Sequence, residues 1–375
     1  MRGLPRSMRL RLISSMARKN ITNSGSRQYS EDSPIHERPP RLLWPPHCAI
    51  QDNTDAKGVW LEPVPKTVVG EIKKWARELN VQPERTPGYW IDKPGHDTAA
   101  GATAGPDEKI VVFFHGGELT GEPARGYANL VHLPYAVLSQ CPSARRAFAV
   151  EYRFCNLSPV YSNPFPAALL DAIAGYRYLV DDVGVDPANI ILLGESAGGN
   201  LALALARYIA QNTAELSRVM RNMPSACPDY EMILLSPWCD LGTSHDTPGS
   251  GSLVHSYDFL ADLQTGVFAA ARQAYGDPLG FSATDRNPYL SPASRYVHAS
   301  FVGFPRTFIS VGRAERFVGM CRTLRDKMAR DMGKKRVTYH EPRVLLRSSL
   351  VTEGRQYPEG SRTIGAWLAE RPSGT

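Results

Sequence analysis

Apolar residues fall into two rhythms along the chain. The first is a short, dense run rich in β-branched and aromatic residues. Such runs occupy 109–114 (KIVVFF), 146–152 (RAFAVEY), 190–193 (IILL), 231–236 (EMILLS), 305–312 (PRTFISVG) and 335–340 (KRVTYH), with a shorter one at 89–91, and they predict strands. The second rhythm repeats every three to four residues. Val68, Val69, Ile72, Trp75, Ala76 and Leu79 predict a helix over 67–79, and Ala168, Leu169, Ile173, Tyr176 and Leu179 another over 164–180, with Pro166 near its start. Further helices are expected over 127–140, 317–332 and 361–369. Strands alternating with helices predict an α/β fold with a mostly parallel sheet. No internal repeat is visible. Residues 241–292 break the alternation: Gly and Ser are frequent there, with one helical piece near 259–275. An insertion of this kind forms a lid and a substrate wall. The helix at 67–79 is either part of such a cap or an ordinary packing helix.

In open α/β sheets, function gathers at the carboxyl ends of the strands. His115, Ser196, Asp240, Glu315 and His340 fall at or just beyond such ends. One end has a distinctive sequence, Gly194-Glu195-Ser196-Ala197-Gly198, between the run at 190–193 and the helix-forming stretch 201–209 (LALALARYI). Strand, G-x-S-x-G and helix in that order are the context of a nucleophile elbow. The turn is too tight for a side chain at Gly194 or Gly198, and it lifts the Ser196 hydroxyl clear of the sheet. The start of the helix adds a free N–H at Ala197 and a positive dipole end. The plain alternative is a glycine-rich turn with an incidental serine; the flanking strand and helix favour the elbow. Upstream, His115-Gly116-Gly117 ends the strand at 109–114. Glycines there let backbone N–H groups approach a carbonyl oxygen, so Gly116, Gly117 and Ala197 are the expected oxyanion donors, each worth about 3 kcal/mol in such sites. The plain alternative is a strand-ending turn with His115 as a structural histidine; its order and spacing ahead of G-E-S-A-G favour the functional reading.

The blocks FFHGG, VEYRF, NPFPAALLDA, NIILLGESAGGNLAL, LLSPWCDL and TFISVGRAE, in this order over roughly 109–315, resemble the hormone-sensitive-lipase-like branch of the α/β-hydrolase esterases. The resemblance implies the α/β-hydrolase fold with a helical cap and no cofactor. It also implies an esterase or lipase-like hydrolysis of carboxylic esters through an acyl-enzyme. Three positions depart from the family pattern. Glu118 stands where its H-G-G-G motif has a last glycine. Glu315 stands at the position of the catalytic acid, usually Asp. The turn after the last strand, 341–349 (EPRVLLRSS), lacks the family's histidine. By elimination His340 is the candidate base, set several residues early at the strand's end; its alternative is a structural strand residue. Similarity resumes near 363–368, so 342–360 reads as a substituted segment. The catalytic expectation is therefore Ser196, Glu315 and His340. A hydrolase-fold binding protein with impaired catalysis, or an acyltransferase, stands as the alternative.

Composition narrows the partners. The net charge is +6 over 375 residues. Much of it lies in Arg2, Arg6, Arg9, Arg11, Arg18 and Lys19, ahead of the first acid, Glu31, and no nucleic-acid motif accompanies it. The expected partner is a small or medium apolar ester, not a nucleic acid. No apolar run is long enough for a transmembrane helix. Six scattered cysteines without a C-x-x-C pair fit reduced thiols in an intracellular, cytoplasmic protein and indicate no metal site. The Arg- and Ser-rich segment 1–41 has the composition of a mitochondrial transit peptide or of a disordered tail. Residues 42–375 are then one hydrolase domain, with cap elements near 60–90 and 241–292.

Overall fold

A computed structural model describes residues 57–117, 132–155, 163–254, 266–276, 279–343 and 359–370. Eight strands form one sheet: β1 (Lys57–Leu61), β2 (Thr86–Asp92), β3 (Lys109–Phe114), β4 (Ala144–Val150), β5 (Ile190–Glu195), β6 (Glu231–Leu235), β7 (Arg306–Ser310) and β8 (Val337–His340). Their order across the sheet is β1-β2-β4-β3-β5-β6-β7-β8. β1 and β2 run antiparallel to their neighbours, and every other pair is parallel. This is the mostly parallel α/β sheet that the alternating pattern predicts, in keeping with the α/β-hydrolase fold that the motif resemblance implies.

The apolar runs are strands because both faces of the sheet are covered. Ile110, Val112, Phe114, Ile190, Leu192, Met232 and Leu234 point to one face. Helices α3 (Ala167–Arg177), α4 (Ala197–Val219) and α7 (Val318–Met332) pack there. Val111, Phe113, Ile191, Leu193, Ile233, Leu235 and Phe308 point to the other. They meet α2 (His132–Gln140) and α8 (Glu359–Ala369) through Leu133, Val137, Leu138, Ile364 and Trp367. A strand buried on both sides carries no polar alternation, which is why these runs read as continuous.

Helix α1 (Gly70–Glu78) buries Ile72 and Ala76. It leans on α4, where the Tyr208 hydroxyl accepts from Val69 N at 2.9 Å. Residues 60–90 thus begin and end in sheet strands, and only α1 between them lies on the face. In the insertion at 241–292, a helical turn at Gly251–Val254, α5 (Gly266–Gly276) and α6 (Phe281–Arg286) are described. Residues 255–265 lie outside the described residues, as do the tail at 1–41, Glu118 and most of 342–360.

Candidate active site

The elbow forms where β5 meets α4. Ser196 has φ +53° and ψ −116°, a region that non-glycine residues enter only at a cost of about 1–3 kcal/mol. Its backbone is fixed on both sides: Ser196 N donates to Leu235 O at 3.0 Å, and Trp238 N donates to Ser196 O at 2.9 Å. A Cβ on Gly194 would lie 2.4 Å from Gly198 O, and one on Gly198 would lie 2.0 Å from Phe114 O. Both positions therefore exclude any side chain, as the motif predicts. Asn200, one turn into α4, donates to Trp238 O at 2.9 Å and Leu290 O at 2.8 Å, fastening the helix start to the chain beyond β6.

The glycines after β3 come to the same place. A Cβ on Gly116 would sit 3.2 Å from Ser196 Cβ and 2.0 Å from Glu195 Oε2, so only the bare backbone fits against Ser196. Gly117 has φ +121°. His115 is fully buried, and its ring stacks on Tyr152 with centroids 4.6 Å apart. Its Nδ1–H donates to Gly116 O at 2.7 Å, while the Tyr152 hydroxyl donates to His115 O at 2.6 Å. Burial lowers the His115 pKa to about 4, so the ring is neutral at ordinary pH and braces the glycine loop. Gly116, Gly117, Ala197 and Ser196 are thus brought together.

Glu315 follows β7 in a tight turn and is buried. Its Oε1 accepts from Gly312 N at 3.0 Å, and the Ser236 hydroxyl donates to Oε2. Ser236 directly follows β6, the strand beside β5, so the carboxylate stands next to the elbow's own neighbour. His340 is placed differently. It occupies the last position of β8, opposite Ser310, with its Nδ1 3.0 Å from Ser310 Oγ. Glu195, Leu235, Ser310 and His340 form one row across β5, β6, β7 and β8. Three strand spacings, about 14 Å, separate the ends of that row, more than the two side chains bridge. The chain leaving β8 stays on its own side: Glu341 takes hydrogen bonds from Arg322 at 2.7 and 2.9 Å and Arg313 at 3.1 Å, and Arg313 N donates to Pro342 O at 2.9 Å. The Arg322 bond is the largest influence holding the Glu341 pKa down at about 2.

Sequence reasoning passed over two features. One is Ser236. The other is a buried chain in which His245 Nδ1 meets Asp240 Oδ2 at 2.6 Å and His245 Nε2 meets Thr323 Oγ1 at 2.8 Å. It joins the root of the insertion to α7. The spacing Asp240-x-x-x-x-His245 after a strand is its only sequence signal. Burial works to raise the Asp240 pKa, but bonds from His245, Ser244 and Gly242 outweigh it and leave the carboxyl below its ordinary range. Among the described residues no group of His, Cys, Asp or Glu is placed to hold a metal ion, and no helix is long and apolar enough to cross a membrane.

Comparison with known proteins agrees with this architecture. Residues 111–343 match the model of a family described as alpha/beta hydrolase fold. An acetyl-hydrolase of Streptomyces hygroscopicus is 32% identical over 226 residues, covering 59% of this chain and 62% of that protein. Esterase LipU of Mycobacterium tuberculosis is 33% identical over 211 residues, covering 55% and 59%. The match spans about three-fifths of the length of each of these relatives. The crystal structure of EstE5 superposes with a TM-score of 0.57 at 19% identity, over 96% of this chain and 97% of that one, a likeness of fold. The chain belongs to the alpha/beta hydrolase fold family.

Proposed function

We propose that the chain hydrolyses small or medium apolar carboxylic esters through an acyl-enzyme on Ser196. The observation that carries this reading is Ser196 itself, held at φ +53° between β5 and α4 with Gly116 packed against it. Ser196 Oγ attacks the ester carbonyl while a base takes its proton. The N–H groups of Gly116, Gly117 and Ala197 donate to the oxyanion. The alcohol leaves with the proton from the base, and water then cleaves the acyl group from Ser196. Glu315 orients the base. Phe154, half-buried with its ring centroid 5.3 Å from that of His115, offers an apolar surface beside the glycine loop and favours an apolar acyl or alcohol group. Ester hydrolysis also fits the printed names of the acetyl-hydrolase and esterase relatives.

The candidate base is His340. His340 fills the role only if the end of β8 parts from β7 and crosses the sheet edge. Its pairing with Ser310 supports a second reading, a hydrolase-fold chain that binds an ester and turns it over slowly or not at all. Turnover of p-nitrophenyl acetate and butyrate by the wild type, Ser196→Ala and His340→Ala separates the two. The hydrolase reading expects Ser196→Ala to lower kcat/KM by about a thousandfold or more. Wild-type turnover no faster than Ser196→Ala sinks it and leaves the binding reading. Wild-type rates in His340→Ala remove His340 as base and leave Ser196 as nucleophile.

A further inference from the structure

Four described residues other than glycine have positive φ: Asn80, Asn163, Ser196 and Ser236. Asparagine tolerates that region; serine gains little there. One of the two serines is the nucleophile. The other, Ser236 at φ +43°, directly follows the neighbouring strand β6 and precedes Pro237. Ser236 therefore holds a strained backbone. Its N–H is tied to Ser310 O at 2.7 Å, which fixes the turn to β7. Its hydroxyl is buried and donates to Glu315 Oε2, while Gly312 N donates to Oε1 at 3.0 Å. The two ends of the carboxylate are thus held from two different strand exits. A glutamate has one more rotatable bond than an aspartate, so its carboxylate loses more freedom on being fixed and depends more on what fixes it.

We propose that Ser236 is a positioning residue for Glu315, holding the glutamate's carboxylate in the orientation that serves the base. The inference rests on the reading of Glu315 as the residue that orients that base. The strain at Ser236 is the cost of directing its hydroxyl at the acid rather than away from it.

The test uses p-nitrophenyl butyrate with Ser236→Ala, Ser236→Gly, Glu315→Ala and the double variant Ser236→Ala/Glu315→Ala. Ser236→Ala is expected to lower kcat about ten- to a hundredfold with KM unchanged, the scale of a misplaced catalytic group. Ser236→Gly, which relieves the positive φ while removing the hydroxyl, is expected to melt no lower than wild type and to lose as much kcat. In the Glu315→Ala background the Ser236→Ala substitution is expected to cost nothing further, because both act on one interaction. Wild-type kcat in Ser236→Gly, or an equal loss in both backgrounds, overturns the proposal. If the wild type is no faster than Ser196→Ala, the hydrolase reading has failed, and the crystal structure of Ser236→Gly decides this one separately. A Glu315 carboxylate that has left Gly312 N upholds it; one that has not moved overturns it.

Discussion

At the residue scale, the site is set by positions that must lack a side chain and by one that must strain to present its own. Gly194, Gly198 and Gly116 each stand where a Cβ would come within 2.0 to 2.4 Å of another atom. At Gly198 that atom is the backbone carbonyl of Phe114, which no rotamer change can move. Gly198→Ala is therefore expected to destabilise the fold by about 3 kcal/mol or more, the upper range for overpacking. A urea melt followed by circular dichroism checks this, and an unchanged midpoint contradicts the geometry. These glycines were legible in the sequence, because G-x-S-x-G and H-G-G have a local steric meaning. Ser236 was not. Its bonds to Ser310 and Glu315 join strands far apart in sequence, and nothing in the pair Ser236-Pro237 distinguishes it from an ordinary turn.

At the element scale, burial decided what was readable. The runs at 109–114, 190–193 and 231–236 became β3, β5 and β6 nearly residue for residue, since strands covered on both faces carry unbroken apolar runs. β1 escaped notice because Lys57–Leu61 is an edge strand with four of its five residues half-buried, and its pattern is correspondingly weak. The same pairing logic fixes β8, whose register with β7 sets His340 beside Ser310. The Asp240–His245–Thr323 chain joins two elements far apart in sequence, so no local pattern announces it. His245 and Asp240 side chains are 3% and 0% exposed. Removing one partner of such a pair costs about 3 kcal/mol, and His245→Ala is expected to lower the stability of the fold by that order. The sign with pH follows from the lowered Asp240 pKa. Its contribution is fully present above the ordinary carboxylate pKa of about 4 and fades as pH falls through the lower folded value. The gap between wild-type and variant urea midpoints is thus expected to be widest near neutrality and to narrow below about pH 4. A gap that widens on acidification contradicts the assignment.

At the scale of the whole molecule, the fold brings the exits of its parallel strands to one edge and uses four of them together. β3 delivers the glycine loop, β5 the proposed nucleophile Ser196, and β6 with β7 the held carboxylate of Glu315. The family resemblance could be read because its motifs lie at these exits and are short and local. The base could not, since no histidine follows His340, and the register of β8 sets His340 beside Ser310. Ser196 is proposed above as an acyl-accepting nucleophile beside an oxyanion site. The most direct measurement is intact-protein and peptide mass spectrometry after brief acid quenching with p-nitrophenyl acetate, and after reaction with a fluorophosphonate. One adduct per chain is expected, on the peptide bearing Ser196 and absent in Ser196→Ala. An adduct elsewhere, or none from either reagent, contradicts it.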